Sequence, residues 1–325
     1  MNGVVITKFG GPEVLEYQKL PVPQPGPNQV LIKTAAIGIN FADIKSREGH
    51  YHGAGQPPFV PGLDVAGTIE AVGPGVEEFA VGQRVIAFPE TGSYSEYTIA
   101  QTVLTYKLPD AVDFETAAAC PTISITSYNL LHELTRIRPG ETVLIHAAAG
   151  GIGTTAIQLA KIFGAGKIIG TVGSEEKADF AKRVGADYVI NYRTEDFAKR
   201  ALELTDGKGV DVILDSVAGD VFERGLSCLA TFGRIAVFGH FSGQPGTVQT
   251  TALHASSRCV LGYSMGTNRR YRPAVLRDSA EAILRLLAEG KLQMYIDNKF
   301  PLKEAAAAQQ VIEQRKNKGK ILLLP

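Results

Sequence analysis

Residues 142–155 read TVLIHAAAGGIGTT, and the fold of the chain turns on them. The first half is a continuous apolar run of strand length. The second is a glycine-rich turn that opens a helix through GIGTTAIQLAKIFG. Ala147, Gly150 and Gly153 form an A-x-x-G-x-x-G pattern. Such a turn serves a tight strand-to-helix reversal, a stretch of bare backbone against a pyrophosphate, and a helix packed close on its strand. The helix start then offers unpaired N–H groups and a positive dipole end to an anion. Ala149, Gly150, Gly151, Ile152 and Gly153 are therefore candidate cofactor contacts. An alanine replaces the first glycine of the common dinucleotide fingerprint, so the string alone is a weak signal. The alternative is a glycine-rich turn that binds nothing.

The setting makes the motif specific. KIIGTVG, DYVINY, VDVILDSV and GRIAVFGH follow as short apolar strands, with helices from Ser174 to Val184, around 195–204 and near 219–230. Five apolar strands alternating with helices imply a parallel sheet covered on both faces. RCVLGYS (258–264) adds a candidate sixth strand. RPAVLRDSAEAILRLLAEGKL and LKEAAAAQQVIEQRKNKGK then read as helices, and ILLLP as a closing strand. Upstream, the rhythm differs. GVVITKF, QVLIKTAAIGI, VAGTIEAVG, GQRVIAF and YSEYTIA are short strands separated by Gly/Pro turns, which predicts a partly closed β unit. A helix is expected over 41–48, and another over 113–134, interrupted at Pro121.

The choice of dinucleotide depends on the end of the second strand. An NAD site places a carboxylate there, about 20 residues beyond the motif, on the ribose 2′-OH. This strand ends on Thr171, Val172 and Gly173, with no acid. Glu175 and Glu176 follow, but Ser174 reads as an N-cap that puts both in the first helical turn, where they complement the dipole. Gly173, Ser174, Lys177 and Tyr192, with Arg193 after it, would surround a 2′-phosphate. The expected cofactor is NADPH; a solvated helix lysine is the plain alternative for Lys177.

Composition excludes several classes. Lys+Arg and Asp+Glu balance at 33 each, so no net field favours nucleic acid or anionic lipid. No apolar stretch approaches the ~18 residues of a membrane span, and the first residues lack a secretory pattern. Cys120, Cys228 and Cys259 are scattered, with no close pair for a disulfide framework or a zinc lobe. Reduced thiols in a cytoplasmic protein are expected. None of the six histidines forms an i, i+4 pair or partners a cysteine at short spacing. His146 reads as a strand residue, and His50 and His52 as solvated loop positions.

One earlier segment raises a separate question. IGINFAD (37–43) breaks an apolar run with Asn40 and Asp43. With GGPEVLEYQKLPVPQPGPNQVLIKTAAIGINFADIKSREGHY, PFVPGLDVAGTIEAVGPGVEEFAVGQRV, HAAAGGIGTTAIQLAK, GTVGSEEKADFAKRVGADYVINYR and LDSVAGD, it resembles the quinone oxidoreductase (zeta-crystallin) branch of the zinc-free medium-chain dehydrogenase/reductases. The resemblance runs through essentially the whole chain in order. Zinc alcohol dehydrogenases carry Cys where this chain has Asn40, and Gly-His-Glu where it has Gly62, Leu63 and Asp64.

The resemblance implies an α/β chain. A GroES-like β-rich catalytic domain would be built from 1–122 and 265–325, with a doubly wound parallel-sheet Rossmann domain at 123–264. A cleft between them would hold the nicotinamide. It further implies that Asn40 lies beside the nicotinamide ribose and substrate carbonyl, with its amide free to donate or accept, and that Asp43 orients that neighbourhood. Thr126, Tyr128, Ser216, Phe238 and Gly239 match cofactor-contacting positions, and Tyr51 is a candidate lid residue or proton donor. Where close relatives place Tyr two residues after the Asp, this chain has Lys45. The basic cluster Arg269, Arg270 and Arg272 is either a cofactor-phosphate contact or a solvated loop. A homodimer through the Rossmann edge strand is also implied, with RCVLGYSM an apolar edge that pairing would cover.

Without a metal Lewis acid, alcohol oxidation is disfavoured, and the acceptor must itself be electron-poor and conjugated. The expected activity is NADPH-dependent reduction of a quinone. The alternatives are a 2-enone or 2-enal (enoyl) reductase on the same framework and a non-catalytic NADPH-binding redox sensor. No nucleic-acid, membrane or metal partner is expected.

Overall fold

The computed structural model describes residues 1–51 and 55–325, which form two compact units, Met1–Ile125 with Gly266–Pro325, and Thr126–Met265. The first unit begins with β1 (Asn2–Ile6) paired antiparallel to β2 (Leu15–Lys19). β3 (Gln29–Gly38), α1 (Phe41–Arg47), β4 (Asp64–Val72), β5 (Arg84–Ala87), β6 (Tyr97–Gln101), β7 (Thr105–Lys107) and α2 (Phe114–Ala119) follow. α3 (Pro121–Tyr128) runs into a π-helical segment, Asn129–Leu134. The break at Pro121 is where the sequence predicts it, because proline has no N–H to continue the preceding helix.

In the second unit, β8 (Thr142–Ile145), α4 (Gly151–Ile162), β9 (Lys167–Val172), α5 (Glu175–Val184), β10 (Tyr188–Asn191) and α6 (Phe197–Leu204) alternate. β11 (Val210–Asp215), α7 (Asp220–Cys228), β12 (Leu229–Val237), α8 (Thr250–Ser256) and β13 (Cys259–Gly262) complete it. The strands form one parallel sheet in the order β10-β9-β8-β11-β12-β13. The order reverses at β8, so the loop after β8 opens at the switch point where such sheets bind ligands. Leu144, Ile169, Ile190, Ile213 and Ile235 pack with Phe197 and Phe222 in a dry core, consistent with strands covered on both faces. The expected α/β class, with a β-rich unit and a Rossmann sheet, is what the structure has.

The chain then returns to the first unit through α9 (Met265–Tyr271), α10 (Leu276–Ala288), β14 (Ile296–Pro301), α11 (Ala305–Glu313) and β15 (Lys320–Leu324). Among the described residues the large sheet runs β14-β15-β3-β4-β5-β7, with β6 also on β3. Leu322 pairs with Gly38, and Gly38 with Asp64. This register sets the end of β3, the start of β4 and the start of β15 side by side. Ile37, Ile39, Tyr94, Ile321 and Leu323 seal the interior beneath them.

Three sequence expectations need correction here. The final helix stops at Glu313, and Lys320 opens β15 rather than ending a helix. The helix is capped by Gln314 and broken at Arg315, whose φ is +55°, and Gly319, with φ +78° and a Cβ position 2.1 Å from the Tyr295 carbonyl oxygen, turns the chain into β15. The basic cluster is a loop only at Arg272, since Arg269 and Arg270 lie in α9. Strand β14, IDNKFP, was not expected, because it has no apolar run to announce it.

Candidate active site

The loop after β8 is built as the motif demands. Ala148 N donates to Thr171 O at 3.0 Å and His146 N to Leu214 O at 3.2 Å, so the turn is pinned to both neighbouring strands. A Cβ on Gly153 would sit 2.4 Å from Ala147 O and 2.6 Å from Ala148 backbone, so only glycine lets α4 pack this close. Gly150 differs: it caps α4 with extended backbone, and a Cβ there would meet only Ala147 O, at 3.3 Å. Its bare face is therefore open. Ala147, standing where the common fingerprint has glycine, adopts φ +53° and carries the left-handed strain that glycine would avoid. Ala149 and Gly153 are buried, while Gly150, Gly151 and Ile152 are half-buried.

At the end of β9, Ser174 caps α5 by accepting from Lys177 N at 3.3 Å, and Glu175 and Glu176 lie in the first turn as the sequence predicts. Glu175 accepts from Asn191 Nδ2 at 2.7 Å, which ties its carboxylate to β10. Tyr192 follows β10, and a Cβ on Gly173 would fall 2.6 Å from its hydroxyl and 3.5 Å from Arg193 Nε. Gly173, Tyr192 and Arg193 thus form a cradle whose donors suit a phosphate, with no acid at the strand end to repel one. Thr126 is buried with its hydroxyl unpartnered. Tyr128 stacks on His132 with centroids 5.0 Å apart. Ser216 and Phe238 are half-buried at the ends of β11 and β12, and a Cβ on Gly239 would lie 2.8 Å from Ser216 O. Bare backbone, an orphaned hydroxyl and clustered donors fit NADPH.

In the first unit, Asn40 caps α1 and is 6% exposed. Its backbone N–H donates to Asp43 Oδ2 at 2.9 Å. Its side-chain Nδ2 donates to Asp64 Oδ2 at 2.8 Å and to Gly38 O at 3.3 Å, while Oδ1 accepts from Lys320 Nζ at 2.9 Å. Lys320 and Asp64 form a buried ion pair at 3.3 Å. Asp64 also caps α3 by accepting from Thr122 N at 3.0 Å and Thr122 Oγ1 at 2.6 Å. Sequence reasoning missed Lys320 and the structural role of Asp64. The two positions that carry metal-binding motif residues in zinc relatives are here bonded to an ammonium. Among the described residues no group of three His, Cys, Asp or Glu side chains could hold a metal ion.

Asp43 is fully buried. Its Oδ2 also accepts from Tyr94 Oη at 3.2 Å, and its Oδ1 has no hydrogen-bond partner. Burial pushes its carboxyl up to about 7, against the Asn40 hydrogen bond that favours the charged form. Tyr94 accepts from Gln309 Nε2 at 3.3 Å, and Arg47 donates to Gln309 Oε1 at 2.7 Å and pairs with Glu313. This buried chain ties α1 to α11, so Asp43 orients the start of α1 and does not face solvent.

Tyr51 is half-buried, and Arg269 Nη2 donates to its hydroxyl at 3.5 Å. The Arg269 guanidinium lies 5.2 Å over the Phe88 ring. Lys45 pairs with Glu48 at 2.7 Å on the outer face of α1. His50 is exposed, and His52 lies outside the described residues. His146 follows β8 directly; its Nδ1 bonds Thr171 Oγ1 at 2.9 Å, and burial pushes its imidazole down to about 3. Burial pushes the Cys120 and Cys228 thiols up to about 12, so neither offers a thiolate; Cys259 is exposed.

Two family models match the chain: the alcohol dehydrogenase GroES-like domain over residues 26–110 and the zinc-binding dehydrogenase over residues 151–281. A quinone oxidoreductase of Pseudomonas aeruginosa is 40% identical, over 98% of this chain and 97% of its own. A 2-haloacrylate reductase of a Burkholderia species is 38% identical, over 99% and 98%. The crystal structure of Escherichia coli quinone oxidoreductase complexed with NADPH superposes with a TM-score of 0.93, at 37% identity and full coverage of both chains. With the Rossmann sheet, the β-rich unit and these full-length matches together, the chain belongs to the quinone oxidoreductase branch of the medium-chain dehydrogenase/reductases.

Proposed function

We propose that this protein is an NADPH-dependent quinone reductase that passes hydride to a conjugated carbonyl acceptor without a metal. The carrying observation is the acid-free end of β9, where Gly173, Tyr192 and Arg193 form a cradle and Glu175 is bound to Asn191. Full-length similarity to quinone oxidoreductases, one crystallised with NADPH, supports the same reading.

NADPH, when bound, supplies the hydride. The backbone of Ala149–Gly153 would hold its pyrophosphate at the start of α4, and Ser174, Lys177, Tyr192 and Arg193 its 2′-phosphate. Thr126, Tyr128, Ser216, Phe238 and Gly239 are assigned to the rest of the cofactor. Asn40 is assigned to the nicotinamide ribose and the acceptor, Asp43 to orienting Asn40 through its backbone N–H, and Tyr51 to the acceptor side. A quinone gains one hydride and one proton to become a hydroquinone, and Tyr51 is the candidate to hold that proton. The catalytic segments are assigned to 1–122 and 265–325, and the cofactor segment to 123–264.

A second reading, reduction of a 2-enoate or enone, is favoured by the equally full-length similarity to 2-haloacrylate reductase. The half-buried Arg269 guanidinium, beside Tyr51, would suit an acidic acceptor. NADPH oxidation assayed against 1,4-benzoquinone, 9,10-phenanthrenequinone, simple 2-enones and 2-chloroacrylate separates the two. Turnover of quinones supports the first reading, and turnover of the acrylate alone replaces it with the second. We further propose a cytoplasmic homodimer paired through β13, the exposed edge of the parallel sheet. No helix among the described residues is long and apolar enough to cross a membrane.

A further inference from the structure

We infer that His146 is a positioning residue, whose side-chain bond to Thr171 holds the pyrophosphate loop in place relative to the 2′-phosphate cradle. The inference rests on the two phosphate subsites proposed above. Both ends of the bond stand where those subsites begin. His146 directly precedes Ala147, the first residue of the loop motif, and Thr171 lies two residues before Gly173 of the cradle. Ile145 pairs with Gly170 in the parallel register, so His146 and Thr171 are the next residues on neighbouring strands. Both are buried, and His146 Nδ1 meets Thr171 Oγ1 at 2.9 Å.

Thr171 thereby grips both flanks of Ala147. Its carbonyl oxygen accepts from Ala148 N at 3.0 Å on one side, and its hydroxyl is bonded to the His146 ring on the other. Ala147 between them has φ +53°, a conformation that persists in an alanine only where its surroundings fix it. Packing alone does not account for an imidazole here. The ring stands T-shaped to Phe197, a member of the dry core, with centroids 5.0 Å apart. Its Nε2 has no hydrogen-bond partner among the described residues, a desolvation cost that an apolar ring would not carry. Burial and the Arg224 guanidinium push the imidazole down to about 3, so it exchanges no proton at neutral pH. One neutral hydrogen bond is its whole side-chain polar role, and that bond joins the two strand ends that carry the subsites.

The test separates binding from packing. Thr171→Val removes the hydroxyl and keeps the branched shape. His146→Phe keeps an aromatic ring and loses the bond, whereas His146→Asn loses the ring and keeps a hydrogen-bonding atom where Nδ1 stands. NADPH affinity is read from the fluorescence of NADPH, adenosine 2′-monophosphate affinity by calorimetric titration, and stability by thermal melts. We expect Thr171→Val and His146→Phe each to weaken NADPH about fivefold, the scale of one hydrogen bond, and the double variant to be no weaker than either. His146→Asn should melt lower yet bind NADPH like the wild type. Adenosine 2′-monophosphate, which fills the cradle alone, should bind every variant as it binds the wild type. NADPH affinity that follows the melting temperature, additive losses, or a parallel loss of adenosine 2′-monophosphate overturns the inference. Should His146→Phe not fold, Thr171→Val and His146→Asn carry the test. Wild-type NADPH affinity in Thr171→Val overturns the inference alone, while failure of the wild type to bind adenosine 2′-monophosphate overturns the cradle reading beneath it.

Discussion

Asn191 Nδ2 donates to Glu175 Oε1 at 2.7 Å across the gap between β10 and the first turn of α5. That bond takes the carboxylate nearest the end of β9 and commits it to holding the helix start. The tie turns that carboxylate toward Asn191, and the strand end itself, Thr171–Gly173, offers no acid to a ribose 2′-OH. NADPH is expected to bind more tightly than NADH, and Lys177→Ala to weaken NADPH about tenfold or more, the scale of one charge-assisted hydrogen bond, while sparing NADH. Calorimetric titration with both nucleotides checks this, and equal affinities would remove the 2′-phosphate assignment.

Gly150 and Gly153 separate binding from folding. Gly150→Ala is expected to leave thermal stability nearly unchanged and to weaken NADPH sharply, since its Cβ would enter the open face of the loop. Gly153→Ala places a Cβ 2.4 Å from a carbonyl oxygen, and such overpacking costs about 1–3 kcal/mol. Denaturant melts alongside nucleotide titrations distinguish the two. Equal behaviour of both variants would argue against a phosphate loop.

Ala147 at φ +53° is an alanine in a glycine conformation. Relief of left-handed strain, about 1–2 kcal/mol, exceeds the roughly 0.4–1 kcal/mol of added unfolded-chain freedom. Ala147→Gly should therefore stabilise the protein by up to about 1 kcal/mol. A lower denaturation midpoint in the variant would refute this.

Asp43 should govern part of the pH dependence of stability. Its carboxyl is lifted from 3.8 to about 7 by burial, so the folded state holds a proton that the unfolded chain has released. The stability this contributes is complete below about pH 4 and is lost as pH rises through about 7. Asp43→Asn, which cannot ionise, should gain on the wild type across that window and flatten the profile. Chemical denaturation at pH 5 and pH 8 reads the difference, and parallel curves would rule the effect out. Asp64 and Lys320, the charged groups nearest Asp43, oppose one another in it.

Chelation offers a control on the hydride chemistry. With Asn40 and Asp64 bonded to the Lys320 ammonium, prolonged treatment with 1,10-phenanthroline is expected to leave acceptor reduction unchanged. Stoichiometric zinc, with activity lost on its removal, would require a different site.

The parallel-sheet half was legible because its signals are local. TVLIHAAAGGIGTT carries strand, turn and helix in one stretch, and β9 to β12 are apolar runs bounded by turns. The N-cap at Ser174 and the break at Pro121 were legible for the same reason. What escaped reading depends on distance along the chain. β14 has neither an apolar run nor an alternating pattern, with Asn298 and Lys299 exposed side by side, so nothing marks it until β15 pairs with it. The Lys320–Asn40 bond spans 280 positions. A lysine in KNKGK looks solvated until Gly319 turns the backbone and β3 receives the strand.

That separation has a consequence for biosynthesis. Asn40 emerges from the ribosome long before Lys320, and the whole parallel-sheet unit is translated in between. Through that interval the Asp64 carboxylate and the Asn40 amide wait without their cation. A product of premature termination short of residue 320 would leave the buried Asp64 carboxylate without its ammonium partner, at the usual penalty for an unpaired buried charge of about 3–5 kcal/mol.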